Sequence, residues 1–304
     1  MTETSPPFTL LYISGSGRSG STMLERVLHS APGVSALGEF HCLWRLPEHD
    51  IRCACGRAFA SDPFWQAVLN AAQVGPAELE ELRTLEAAVC RTGFLARHRF
   101  SLPRIAAHPK VQRFAALQHA LLGAVAQVTG ARVLVDSSKA GPRAWLLALD
   151  PATRVVHLHR DPADVLLSWR SVKFDPGLGT AMKRMPVRAA AADWWKVDRL
   201  AALLGRKRAV VRLDYRKLCA APRAAVAGLW HDLGIDPPGE AHWLSPDAVM
   251  PGPDYHSLNG NPDRFDPGPL RISARRPDWS RVSPADRPVI RAAAGALRLL
   301  APTL

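Results

Sequence analysis

The stretch TLLYISGSGRSGSTMLERVLHS, residues 9–30, decides the fold. Residues 9–14 are short and apolar on both faces, as a buried parallel strand is. Residues 21–30 carry a helical pattern. Between them stand Gly15, Gly17 and Gly20, with Arg18 and Ser19 interleaved and Ser21 and Thr22 following. A glycine turn from a buried strand into a helix aims backbone N–H groups and the positive end of the helix dipole at one spot, which makes an anion cradle.

Four further apolar runs, at 34–37, 132–135, 154–159 and 209–213, repeat the strand signature. Helical patterns accompany them at 62–72, 77–91, 111–128, 162–172 and 187–204. This alternation predicts a three-layer α/β fold with a central parallel sheet of about five strands and right-handed crossovers. The segment 41–130 holds helices and no convincing strand, so it reads as a mostly helical insertion after the second strand. It is expected over the C-terminal edge of the sheet, where ligands of open α/β sheets bind. Residues 245–278, dense in Pro, Gly, Asn and Asp around Tyr255, His256, Arg264 and Phe265, read as a long loop and a candidate lid. Residues 1–304 are accordingly expected to form one domain.

Composition narrows the function classes. A chain with 47% hydrophobic and 22% charged residues is not disordered. The net charge of +12 suggests an anionic partner. No nucleic-acid reader motif or aromatic-basic interleaving accompanies that charge, so nucleic acid is not the expected partner, and a basic nucleic-acid-binding protein without enzymatic activity stays as an alternative. Five cysteines, Cys42, Cys53, Cys55, Cys90 and Cys219, are too few and too uneven for a disulfide framework and suit a reducing compartment. Glu3 and two prolines near the N-terminus do not read as a secretion signal, and polar residues such as Gln118 and His119 interrupt the uncharged stretch 114–131. A cytoplasmic protein with no membrane span is therefore expected. Cys53 and Cys55, with His41, Cys42 and His49 nearby, lack the second ligand pair of a usual zinc site, so no metal is assigned. Oligomeric state leaves no signal.

Three ligand classes compete for the glycine turn. Gly15, Gly17 and Gly20 match G-x-G-x-x-G, with Glu39 about 20 residues on as a ribose-binding acid, but Pro32, Gly33 and Gly38 crowd the second strand and Arg18 intrudes on the pyrophosphate approach. Gly15, Gly20 and Thr22 fit the nucleoside-triphosphate loop G-x-x-x-x-G-K-[ST], but Ser21 stands where a lysine must reach the outer phosphates. With Asp136 closing the run 133–136 as a metal-binding acid, a nucleotide kinase remains an alternative. The third reading takes Arg18 as the loop cation, with Ser19, Gly20, Ser21 and Thr22 closing on a single 5′-phosphate.

The R-S-G-S-T core of that loop, residues 18–22, resembles the 5′-phosphosulfate loop of sulfotransferases that use 3′-phosphoadenosine 5′-phosphosulfate. A second segment, RVVHLHRDPADVLLSW at 154–169, reads as a strand turning directly into a helix capped by Asp161, with Pro162 at the first position. In that family a strand-end arginine followed eight positions later by serine binds the 3′-phosphate, and Arg160 and Ser168 match. The resemblance runs in pieces from Leu10 to Leu218, is nearest to bacterial members, and lies closer to the carbohydrate and tyrosylprotein branches than to the cytosolic phenol branch. It implies a P-loop-NTPase-like fold. It also implies transfer of a sulfuryl group from that co-substrate to a hydroxyl, less often an amine, of a small-molecule, glycan or peptide acceptor, with no metal required. Gly17, Arg18, Ser19, Gly20, Ser21, Thr22, Arg160, Ser168 and Tyr215, the last an aromatic near the adenine, are the implied donor-binding residues. Gly38-Glu39 matches the point at which those branches place the catalytic base, with His41 in reserve, while residues 136–141 lack the histidine of the phenol branch. Lys139 resembles the lysine that touches the sulfuryl group, and Arg18 and Lys139 would offset charge on the leaving phosphate.

Overall fold

The computed structural model describes residues 8–45, 52–170, 174–176, 179–182, 184–274 and 279–301; residues 1–7 and His49 lie outside them. A five-stranded sheet forms from β1 (Thr9–Ser14), β2 (Val34–Gly38), β3 (Val133–Lys139), β4 (Arg154–His159) and β5 (Val210–Asp214), in the order β2-β3-β1-β4-β5. All four pairings are parallel. The parallel α/β sheet expected from the strand–helix alternation, in the P-loop-like form that the resemblance implied, is thus present, with β1 central and its glycine turn flanked by the ends of β3 and β4.

Side-chain alternation along β1 explains the three layers. Leu10 and Tyr12 face a core shared with α2 (Pro63–Ala72), α3 (Pro76–Val89), α4 (Thr92–Arg97), α5 (Leu102–Ala106), α6 (Pro109–Thr129) and α7 (Gly141–Leu147). Leu11 and Ile13 face the opposite core, with α1 (Ser21–His29), α10 (Tyr215–Ala220) and α11 (Pro222–Leu233). A third core joins α8 (Pro162–Arg170), α9 (Val187–Gly205) and α12 (Asp286–Leu300). No helix among the described residues is long and apolar enough to cross a membrane.

β3 runs four residues beyond the apolar run that announced it, because its last residues are polar and buried with partners. Asp136 pairs with Arg143 at 3.0 Å, and Ser137 donates to the carboxylate of Glu25. Within 245–278 the structure adds short antiparallel pairings: Ala248–Val249 lies between Trp243–Ser245 and Leu270–Arg271, and Pro262–Phe265 forms a 3-10 turn.

This C-terminal segment is fastened to one face of α1. Thr22 Oγ1 accepts from the Asn261 N–H at 3.2 Å. Glu25 accepts from the Tyr255 and Ser257 hydroxyls at 2.5 and 3.0 Å. Arg26 donates to the carbonyls of Asp263 and Asp266 at 2.8 and 2.6 Å, and His29 Nε2 lies 3.0 Å from the Pro253 carbonyl. These positions fall on one helical stripe. Burial pushes the Glu25 carboxyl above its usual range, and the hydroxyls of Ser137, Tyr255 and Ser257 act against that shift.

Candidate functional site

The parallel sheet sets the C-terminal ends of its strands on one edge, and those of β3, β4 and β5 border the glycine turn. The Gly15 N–H donates to the Lys139 carbonyl at 3.2 Å, tying the turn to the end of β3. Gly20 caps α1 with φ +100°, a left-handed conformation that suits glycine, and a Cβ there would lie 2.6 Å from the Tyr215 ring. A Cβ on Gly17 would lie 2.4 Å from the Trp169 ring. Glycine is therefore required twice in this turn, because an aromatic ring lies directly against each backbone position.

Those same rings hold the two arginines. The Arg18 guanidinium lies 5.0 Å from the Trp169 ring and that of Arg160 lies 4.2 Å from the Tyr215 ring. Arg160 Nη1 donates to the Arg18 carbonyl at 2.9 Å, and Trp194 Nε1 donates to the Arg160 carbonyl at 2.9 Å. The acids next to Arg160 in sequence are engaged elsewhere. Asp161 caps α8 through the Ala163 N–H and binds Arg298, while Asp164 pairs with Arg216. Burial lowers the pKa of Arg18, and the charges of Asp263 and Glu39 act in the opposite direction.

Glu39, directly after β2, and Lys139, at the end of β3, form an ion pair at 2.5 Å. Lys139 has φ +66°, a left-handed conformation rare for a residue with a side chain and one that concentrates at functional sites. Its Nζ also donates to the Ser137 carbonyl at 3.2 Å. The second oxygen of Glu39 accepts from Asn259 Nδ2 at 3.3 Å, and its backbone N–H donates to the Leu258 carbonyl at 2.7 Å. His41 sits beside this pair with Nδ1 buried and unpartnered; burial first, then Arg45, Arg143 and Lys139, push its pKa well below the ordinary value.

The structure thus brings Gly17, Arg18, Gly20, Arg160 and Tyr215 into one contact group and Glu39 with Lys139 into an adjoining one, linked through the Gly15–Lys139 hydrogen bond. Ser19 is buried in the turn, Ser21 and Thr22 open α1, and Ser168 precedes Trp169 on α8. Asp136, the acid a kinase would need for its metal, is buried, paired with Arg143, and accepts from both the N–H and the hydroxyl of Ser138. Residue patterns did not single out Trp169, Glu25 or Asn259. The Asn259-Gly260-Asn261 turn chemistry was the one local signal for the last of these, and nothing local marks the other two.

The Sulfotransferase family profile matches residues 11–238, so the chain belongs to that family and is a transferase of the sulfuryl group. No curated protein sequence matches it. Among solved structures it is similar to the "Sulfotransferase Domain from the Curacin Biosynthetic Pathway", with 15% identity, a TM-score of 0.49, and coverage of 97% of this chain and 99% of that one. It is also similar to sulfotransferase STF1 from Mycobacterium tuberculosis H37Rv, with 20% identity, a TM-score of 0.45 and coverage of 78% and 70%. A third is STF9 from Mycobacterium avium, with 17% identity, a TM-score of 0.42 and coverage of 76% and 65%.

Proposed function

We propose that this member of the sulfotransferase family takes its sulfuryl group from 3′-phosphoadenosine 5′-phosphosulfate and passes it in line to an acceptor hydroxyl, less often an amine. One observation carries the reading. Arg160 is folded onto the carbonyl of Arg18 while Arg160 Nε and Ser19 Oγ are buried without a protein partner. Buried donors left without partners are costly, and an oxyanion is the ligand that satisfies them. Gly17, Arg18, Ser19, Gly20, Ser21 and Thr22 would hold the 5′-phosphosulfate, Arg160 and Ser168 the 3′-phosphate, and Tyr215 would flank the adenine. The bound donor supplies an activated sulfuryl group and a stable phosphate leaving group.

The residues of this chain then have separate tasks. Lys139 Nζ exchanges the Glu39 carboxylate for the negative charge that grows on the leaving phosphate, and Arg18 shares that load. The exchange frees Glu39 Oε1 to take the acceptor proton as the acceptor oxygen bonds to sulfur and the bond from sulfur to the phosphate oxygen breaks. His41, whose pKa burial pushes well below the ordinary value, is kept as the reserve base. No divalent ion enters these steps. The segments 41–130 and 245–278 belong, in this proposal, to the same catalytic domain and select a small-molecule, glycan or peptide acceptor. The five free thiols suit a cytoplasmic location.

Release of 3′-phosphoadenosine 5′-phosphate in the presence of a panel of hydroxyl acceptors tests the proposal. It should depend on acceptor and proceed without added Mg²⁺. Turnover of ATP that requires Mg²⁺, with none of the sulfated donor, would support the kinase alternative instead.

A further inference from the structure

Four potential metal ligands from distant parts of the chain meet outside the site described above. Cys53 Sγ lies 3.5 Å from His256 Nδ1, 203 residues later. Asp62 Oδ2 lies 3.2 Å from the same nitrogen and 3.3 Å from Cys55 Sγ. One ligand atom from each of the four side chains falls within 4.8 Å of all the others. His41 and Cys42, the neighbours that the sequence offered, are not part of this cluster; Asp62 and His256 take their place.

We propose that Cys53, Cys55, Asp62 and His256 bind one Zn²⁺ in a closed, four-coordinate structural site. The donor set suits the ion, because two thiolates and an imidazole favour zinc over Mg²⁺ or Ca²⁺, which take oxygen ligands. The spacing suits it as well. With Zn–N and Zn–O about 2.0 Å and Zn–S about 2.3 Å, the edges of a tetrahedron measure about 3.3–3.8 Å, and the separations of 3.5, 3.2 and 3.3 Å match or nearly match that range.

The surroundings prepare the ligands. The loop that carries both thiols is closed by the Cys53 N–H donating to the Arg57 carbonyl at 2.9 Å and the Gly56 N–H donating to the Cys53 carbonyl at 2.8 Å. Gly56, with φ +87°, makes the tight turn this needs. Phe64 stacks on the His256 ring at 4.1 Å and 8°, fixing its orientation. Asp62 spends Oδ1 on the Phe64 N–H, capping α2, and turns Oδ2 into the cluster. Binding replaces two thiol protons, which leave to solvent, while His256 stays neutral and Asp62 ionised; the four-ligand site carries a formal charge of −1 and has no open position for substrate.

The position of the site gives it a task. Ala54 N–H donates to the Ser257 carbonyl at 3.0 Å, and Cys53 bridges to Leu258. Leu258 and Asn259 are the residues that contact Glu39. A metal here would clamp the C-terminal segment in the register that places Asn259 on the Glu39 carboxylate.

The test uses full-length protein from zinc-supplemented cultures, with metal content measured after gel filtration. About one zinc per chain is expected. Protein stripped by a chelator and refilled with Co²⁺ should show the intense visible bands of tetrahedral cobalt together with sulfur-to-cobalt charge transfer. Cys55→Ser and His256→Ala should each lower metal affinity by about tenfold or more in competition with a chromophoric chelator, while Cys219→Ala keeps its zinc. If either cluster variant fails to fold, the zinc content and cobalt spectrum of the wild type decide alone. Folded wild type that holds no zinc and gives no tetrahedral cobalt spectrum would overturn the site. So would folded cluster variants that retain zinc as wild type does, or a Cys53–Cys55 disulfide in protein purified without oxidant.

Discussion

Arg160 Nη1 donates to the backbone carbonyl of Arg18 at 2.9 Å, across 142 residues of sequence. The contact joins the end of β4 to the turn after β1, so the two basic residues belong to one wall. Each guanidinium also lies against an aromatic ring, which limits the freedom it must surrender when an anion arrives. Preorganised cations of this kind suit a ligand with two separated phosphates.

The Glu39–Lys139 pair carries the chemistry in this account. Glu39→Gln should lower kcat by about 10²–10⁴, the usual worth of a general base, while leaving affinity for the desulfurised product nucleotide near that of wild type. His41→Asn should change kcat far less. Initial rates at saturating donor, paired with calorimetry of the product nucleotide, check both. A Glu39→Gln enzyme with undiminished kcat would place the base elsewhere.

The contact between Gly17 and Trp169 makes a double-variant test. Gly17→Ala puts a methyl where the ring stands, an overpacking cost of about 1–3 kcal/mol that should weaken product-nucleotide binding about tenfold or more. Trp169→Ala removes the obstacle, so the double variant should resemble Trp169→Ala rather than sum the two effects. Strict additivity in titration calorimetry would contradict the contact.

Two buried histidines should make the fold sensitive to acid. His29 Nδ1 accepts from the Ala36 N–H at 3.3 Å while Nε2 faces the Pro253 carbonyl, an arrangement that a neutral ring satisfies. Burial, the leading cause in both, lowers the pKa of His29 and, with Arg45, Arg143 and Lys139, that of His41. The unfolded chain therefore takes up protons first. This contribution to stability is complete above about pH 6.5 and declines below it, by at most about 1.4 kcal/mol per pH unit for each ring. Denaturant midpoints should be lower at mildly acid than at mildly alkaline pH, and equal midpoints would show that the rings are not held neutral.

The sheet was legible in the sequence because its strands are buried on both faces and read as uninterrupted apolar runs. The last residues of β3 were not, since Asp136 and Ser137 are buried through Arg143 and Glu25, partners that no local pattern reveals. Helices α4, α5, α7, α10, α11 and α12 were not among the helical patterns read; α4, α5, α7 and α10 are only five to seven residues long, too short to show a clear period. Within the site, Arg18, Glu39 and Arg160 stood out because each follows a strand run and matches a motif of the family the sequence resembles, and Lys139 through that resemblance. Trp169 carried no signal of its own in the sequence, and only its place against Gly17 gives it meaning. His256 could not be joined to Cys53, Cys55 and Asp62 by spacing, because the chain returns to that point only after the whole sheet is complete.

Calorimetric titration of the full-length protein with 3′-phosphoadenosine 5′-phosphate, with ATP and NAD as competitors, tests most directly whether two basic strand ends grip a bisphosphorylated adenosine. The bisphosphate should bind more tightly than either competitor, and Arg18→Ala and Arg160→Ala should each weaken it by about tenfold to a hundredfold, the worth of a charged hydrogen bond. Equal affinity in wild type and both variants, or a preference for ATP or NAD, would contradict the account.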